Sequence, residues 1–97
     1  MYRRAYLLTF DRDDNRDYKS IHDGVIGLPS VITWWHYLKS SYILIADTNS
    51  ASILSAEIQL VFKKKRFLLV EINLKNKNGM LPKDAWEWLK NQATKTF

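Results

Sequence analysis

The chain has no cysteine, and that one absence removes disulfide bonds, thiolate catalysis and cysteine-ligated metal sites together. It suits a reducing compartment, so a cytoplasmic location is expected. Glycine is scarce as well: Gly24, Gly27 and Gly79 never cluster as a phosphate-cradling loop requires. The two imidazoles, His22 and His36, have no metal-ligand spacing between them, and each is expected to be structural. Apolar runs are far shorter than a membrane span. The start, Met1-Tyr2-Arg3-Arg4-Ala5-Tyr6, passes straight into a strand-like segment with no signal-peptide core. A soluble protein with no membrane partner is the expectation.

What is present is 97 residues, enough for one domain over 1–97 that buries roughly two-thirds of its unfolded surface. The net charge of +5 is unevenly placed. Residues 1–48 carry six Lys/Arg and six Asp/Glu, whereas residues 49–97 carry nine and four, so the whole excess lies in the second half. Its densest part is Lys63, Lys64, Lys65 and Arg66, a basic turn able to hold phosphates by counterion release. A solvated turn between a helix and a strand is the competing reading.

The most informative stretch runs from Thr33 to Ala46, two β-rich segments around a polar Lys39-Ser40-Ser41 break, and reads as an antiparallel hairpin. Alternation puts Thr33, Trp35 and Tyr37 on one side of its first arm and Ile32, Trp34 and His36 on the other. Both sides are bulky, so each needs cover. Ala5 to Phe10 reads as an earlier strand, apolar on both faces and ending at Asp11. Asn15 or Asp17 is placed to cap a helix carrying Tyr18, Ile21, His22 and Val25, which Gly27-Leu28-Pro29 stops. After Asp47-Thr48-Asn49-Ser50, rich in capping residues, Ala51, Leu54, Ile58 and Val61 make the stripe of a second helix to about Phe62. Phe67 to Leu74 is a fourth strand, with Leu68, Val70, Ile72 and Leu74 on one face. Pro82 opens a short closing helix with Ala85, Trp86 and Leu89 on one side, and the tail from Thr94 is expected to fray.

The order βαββαβ folds most simply into an α+β, ferredoxin-like antiparallel sheet with two helices on one face, plus a short C-terminal helix. The second sheet face then needs its own cover. A closing helix this short is too small for a whole sheet, so the expectation is a homodimer with Trp35, Tyr37 and Tyr42 at the interface. Other constellations fail. Asp11-x-Asp13-x-Asn15 imitates a calcium loop, but Arg16 stands where glycine belongs and His22 where the bidentate glutamate belongs. Ser20, His22 and Asp23 point in different directions from one helix and make no triad. Single-stranded nucleic acid stacked on Trp35, Tyr37 or Tyr42 lacks the basic-Gly-aromatic signature of an RNA-recognition sheet.

Four blocks carry a resemblance: Tyr6-Leu7-Leu8-Thr9-Phe10-Asp11; Trp34-Trp35-His36-Tyr37-Leu38 with Ser41-Tyr42-Ile43-Leu44; Phe67 to Ile72; and Gly79-Met80-Leu81-Pro82-Lys83-Asp84-Ala85-Trp86-Glu87-Trp88-Leu89. Together they resemble a group of small bacterial proteins labelled "SinR family", similar in fold to the CRISPR-associated adaptation protein Cas-two. Two departures stand out: Arg12 and Asp13 replace an expected Leu and Asn, and Met80 stands where Trp is usual. The resemblance implies a homodimer with the two Asp11 carboxylates near its axis, holding Mg²⁺. Asp11 would then be both metal ligand and catalytic residue of a metal-dependent endonuclease acting on DNA or RNA. Capping the strand end is the plainer role for Asp11. Two functions therefore stay open. One is a dimeric nucleic-acid-binding protein with Mg²⁺-dependent nuclease activity. The other is a non-catalytic dimer that binds a protein partner or a small nucleotide, within a bacterial or phage defence system.

Overall fold

The computed structural model describes residues 2–11 and 18–96. The Asn15 and Asp17 caps and the Asp13 and Asn15 positions of the calcium-like loop lie outside these residues. Seven elements follow one another: β1 (Arg3–Phe10), α1 (Tyr18–Ile26), β2 (Val31–Leu38), β3 (Ser41–Asp47), α2 (Ala51–Phe62), β4 (Phe67–Ile72) and α3 (Lys83–Ala93). The chain is an α+β domain around a four-stranded sheet in the order β2-β3-β1-β4, with every pairing antiparallel. No helix among the described residues is long and apolar enough to cross a membrane.

Local sequence accounts for the elements. The β2–β3 hairpin turns at Lys39-Ser40, and β3 lies deep in the sheet between β2 and β1. Ser50 caps α2 by accepting a hydrogen bond from the Ile53 amide, satisfying one donor that a helix start leaves free. Helix α1 ends at Ile26, where the Gly27 amide donates to the Asp23 carbonyl and Leu28 turns the chain inward. β4 stops at Ile72, two residues short of the expected end, because Asn73 accepts from the Lys75 amide and bends the chain away.

The strand alternation divides the core in two. Tyr6, Leu8 and Phe10 of β1 with Tyr42, Leu44 and Ala46 of β3 pack under Ile21 and Val25 of α1 and Leu54, Ile58 and Phe62 of α2. The other face carries Ala5, Trp35 and Ile45 beneath Ala85, Leu89 and Ala93 of α3, with Leu74 joining them. Here the expectation needs correcting, since α3 covers much of the face assigned to a second subunit. Its buried apolar residues recur every fourth position, and the small Ala85 and Ala93 on either side of Leu89 let the helix lie close to the sheet while Trp86 and Trp88 spread sideways. Two polar contacts fix its ends. Tyr37 donates to Asp84 at 2.8 Å near the start, and Arg3 donates to Gln92 near the finish. The tail does not simply fray, because the Lys95 amide bonds the Gln92 carbonyl and Thr96 is buried.

α3 does not cover everything. Beyond it, on the same face, Leu68 and Val70 of the edge strand β4 remain 58% and 41% exposed. They pair across the ladder with Thr9 and Leu7 of β1.

Candidate nucleic-acid interface

β1 and β4 pair through Phe10 and Phe67, and this register brings their outer ends together. The Asp11 amide continues the ladder to the Arg66 carbonyl, and the side chains meet above it. Nε and Nη2 of Arg66 approach the same Asp11 oxygen, Oδ2, at 3.1 and 2.9 Å. Residues 55 positions apart thus form an ion pair whose position the sheet dictates. Both side chains are largely exposed, so the pair contributes little to stability, about 0–1 kcal/mol at most.

The basic turn splits into distinct roles. Lys63 caps α2 in a conformation with φ of 57°, the only non-glycine residue with positive φ among the described residues. Glycine suits that backbone better, since a side chain there meets the following carbonyl. Lys64 is exposed. Lys65 is only 9% exposed; its Nζ stands 5.6 Å from the centre of the Tyr18 ring, a cation–π contact, and its amide bonds the Phe62 carbonyl. Lys63, Lys64 and Arg66 are therefore the cations presented outward.

Lys63 and Arg66 border a hollow of about 680 Å³ between α2 and the edge of β4. Ser52, Ser55 and Gln59 of α2 form one wall and Leu68 and Leu69 the other, with Lys63, Lys65 and Arg66 at its end. Among the described residues no carboxylate lines it. Arg66 also borders a second hollow of about 410 Å³ with Thr9, Asp11 and Leu68. One guanidinium thus links the Asp11 corner to the α2–β4 groove.

The three residues assigned to a dimer interface do not share a surface. Trp35 is 4% exposed beneath α3, Tyr42 is 2% exposed under α1 on the opposite face, and Tyr37 alone stands at the surface. By spacing alone the two histidines are unrelated. In the fold they flank Tyr42: His22 Nδ1 lies 2.7 Å from its hydroxyl, and the His36 ring stacks on it at 4.0 Å. The His36 Nδ1 lies 2.9 Å from the Ser41 carbonyl, an oxygen that can only accept, so that nitrogen carries the proton. No group of three His, Cys, Asp or Glu side chains able to hold a metal occurs among the described residues.

No protein-family model, curated protein or solved structure matches the chain significantly.

Proposed function

We propose that the protein is a ferredoxin-like, homodimeric module that binds nucleic acid along the groove between α2 and β4. What carries this reading is the composition of that groove: hydroxyl and amide donors along one wall, cations at its end, and no carboxylate among the described residues. A phosphodiester backbone needs that combination, since cations release its counterions and neutral donors bond its oxygens. The ferredoxin-like assignment is supported by α1 and α2 sharing one face and by β3 lying between β1 and β2, so that the first strand–helix–strand unit is split. Dimerisation is supported by Leu68 and Val70, an apolar strip on an edge strand that α3 leaves open. A second copy on this strip lies beside Asp11 and Arg66 and extends one basic surface across both chains.

Within one protomer the donor set does not fit Mg²⁺. Asp11 supplies the one carboxylate at this corner among the described residues, and Arg66 holds its Oδ2. Hard-cation sites are built from several oxygens, so no hydrolytic step is derived from Asp11.

Fluorescence anisotropy with labelled single- and double-stranded DNA and RNA, across a salt series, tests the proposal. Lys63→Gln with Lys64→Gln is expected to weaken binding to all sequences alike. It should flatten the salt slope by about 0.9 per lost contact on duplex and about 0.7 on single strands. Lys63→Gly separates binding from folding: it relieves the positive φ and raises stability by roughly 1 kcal/mol, yet binds more weakly. An unchanged slope returns the turn to a solvated role. Cleavage that requires Mg²⁺ and disappears in Asp11→Asn makes the module a nuclease. A stable monomer by light scattering at high concentration removes the dimer.

A further inference from the structure

Four of the seven lysines outside the basic turn collect at the opposite end of β4. Lys75 and Lys77 from the loop after β4, Lys90 of α3 and Lys95 from the final turn line a cavity of about 690 Å³. Among the described residues no carboxylate lines it, and none of the four ammonium groups forms an ion pair. Like charges facing one hollow repel, and an anion between them relieves that repulsion. Thr96 lines the same cavity; it is 8% exposed, and its hydroxyl has no hydrogen-bond partner among the described residues. Buried hydroxyls are normally satisfied, so this one is available to a ligand oxygen once the side chain turns.

Lys77 also borders a second compartment. A slot of about 300 Å³ between the sheet and α3 is walled by Trp35, Leu74, Leu81 and Trp86, with Asn76 at its rim. The indole N–H of Trp35, a residue 4% exposed, has no acceptor among the described residues. Apolar walls with few polar groups suit a flat heterocycle, whose faces are apolar and whose edge carries acceptors. Phosphate chemistry and a heterocyclic slot meeting at one lysine define a single class of ligand. We propose that this end of the protein binds a free mononucleotide, its phosphate among Lys75, Lys77, Lys90 and Lys95 and its base in the Trp35–Trp86 slot. These residues are separate from the α2–β4 groove, so the site stands or falls apart from nucleic-acid binding there.

The test uses the full chain, with calorimetry and tryptophan fluorescence on four probes: AMP, CMP, adenosine and inorganic phosphate. At least one nucleotide is expected to bind and quench Trp fluorescence, with adenosine and phosphate each weaker by about tenfold or more. Lys75→Gln with Lys95→Gln changes exposed side chains that hold no ion pair among the described residues, so the fold is retained. Nucleotide affinity in that variant should fall by about tenfold or more, while Lys63→Gln with Lys64→Gln leaves it unchanged. Phosphate binding as tightly as the nucleotides overturns the base slot. Absence of binding by both nucleotides at millimolar concentration, or equal losses in the two double variants, overturns the site.

Discussion

Truncating Leu89 distinguishes a helix that belongs to the cooperative fold from one that merely rests on it. Leu89 is nearly fully buried where α3 meets Trp35 and Ile45, and its helical neighbours in that contact, Ala85 and Ala93, are small. Leu89→Ala removes three carbons, worth about 2.4 kcal/mol at ~0.8 kcal/mol each, and the cavity left behind brings the cost to about 3–4 kcal/mol. Against a total stability of about 5–15 kcal/mol for a domain of this size, that loss is large. It falls, however, on the energy that docks α3, not on the α1–α2 core. The comparison is Leu54→Ala, which removes the same atoms from the fully buried centre of the other cluster. Leu54→Ala should lower the melting temperature by about 12 °C or more, at about 4–8 °C per kcal/mol, with all probes coincident. Leu89→Ala should instead let α3 lift before the sheet unfolds. Tryptophan fluorescence reports this directly, because Trp35, Trp86 and Trp88 all sit in the α3 cluster and only Trp34 lies elsewhere. In urea the fluorescence transition is expected to precede the circular dichroism transition, and the slope of the main transition to fall as less surface remains to be exposed. Coincident transitions with an unchanged slope would refute the argument and make α3 part of a single cooperative unit.

Gly24 and Val61 give a second prediction. A Cβ at Gly24 would lie 2.9 Å from Cγ1 of Val61 on α2, so Gly24→Ala, normally favourable in a helix by about 0.5–1 kcal/mol, should here cost about 1–3 kcal/mol. Adding Val61→Ala should recover part of that loss, giving a coupling of about 1 kcal/mol in a double-mutant cycle; a stabilised Gly24→Ala protein would show that α1 and α2 are not so close. The third concerns alkali. Burial, and then the nearby Glu71 carboxylate, raise the Tyr6 phenol above its usual 10.0, and its hydroxyl donates to the Thr48 carbonyl at 2.8 Å. A raised folded-state value means the contribution is complete below about pH 10 and is lost as pH climbs through the folded value. Tyr6→Phe should therefore cost about 1–2 kcal/mol at neutral pH, with wild type and variant converging above pH 10 in thermal melts; a constant difference would contradict the assignment.

Much of this architecture is legible in the chain because it is local. Alternation of Tyr6, Leu8 and Phe10 against Ala5, Leu7 and Thr9 reports a strand buried on both faces. The 3.6-residue stripes of α1 and α2 and the Ser50 cap are likewise properties of a few adjacent residues. Asp11 and the basic turn could be singled out by composition, but their pairing could not, since it follows from the β1–β4 register.

The sequence by itself determined the strands, the helices, the need to cover two apolar sheet faces and the concentration of positive charge in the second half. Only tertiary structure decided that α3 lies over Trp35, that Tyr42 is sealed on the opposite face beside both histidines, and that Lys65 turns onto Tyr18 while its neighbours face outward. It alone gathered Lys75, Lys77, Lys90 and Lys95 from three segments into one cavity. The physical reason is the range of the interactions. Propensity and periodicity act within a turn or a strand, whereas helix docking, cross-strand register and the meeting of distant charges depend on where the whole chain has gone.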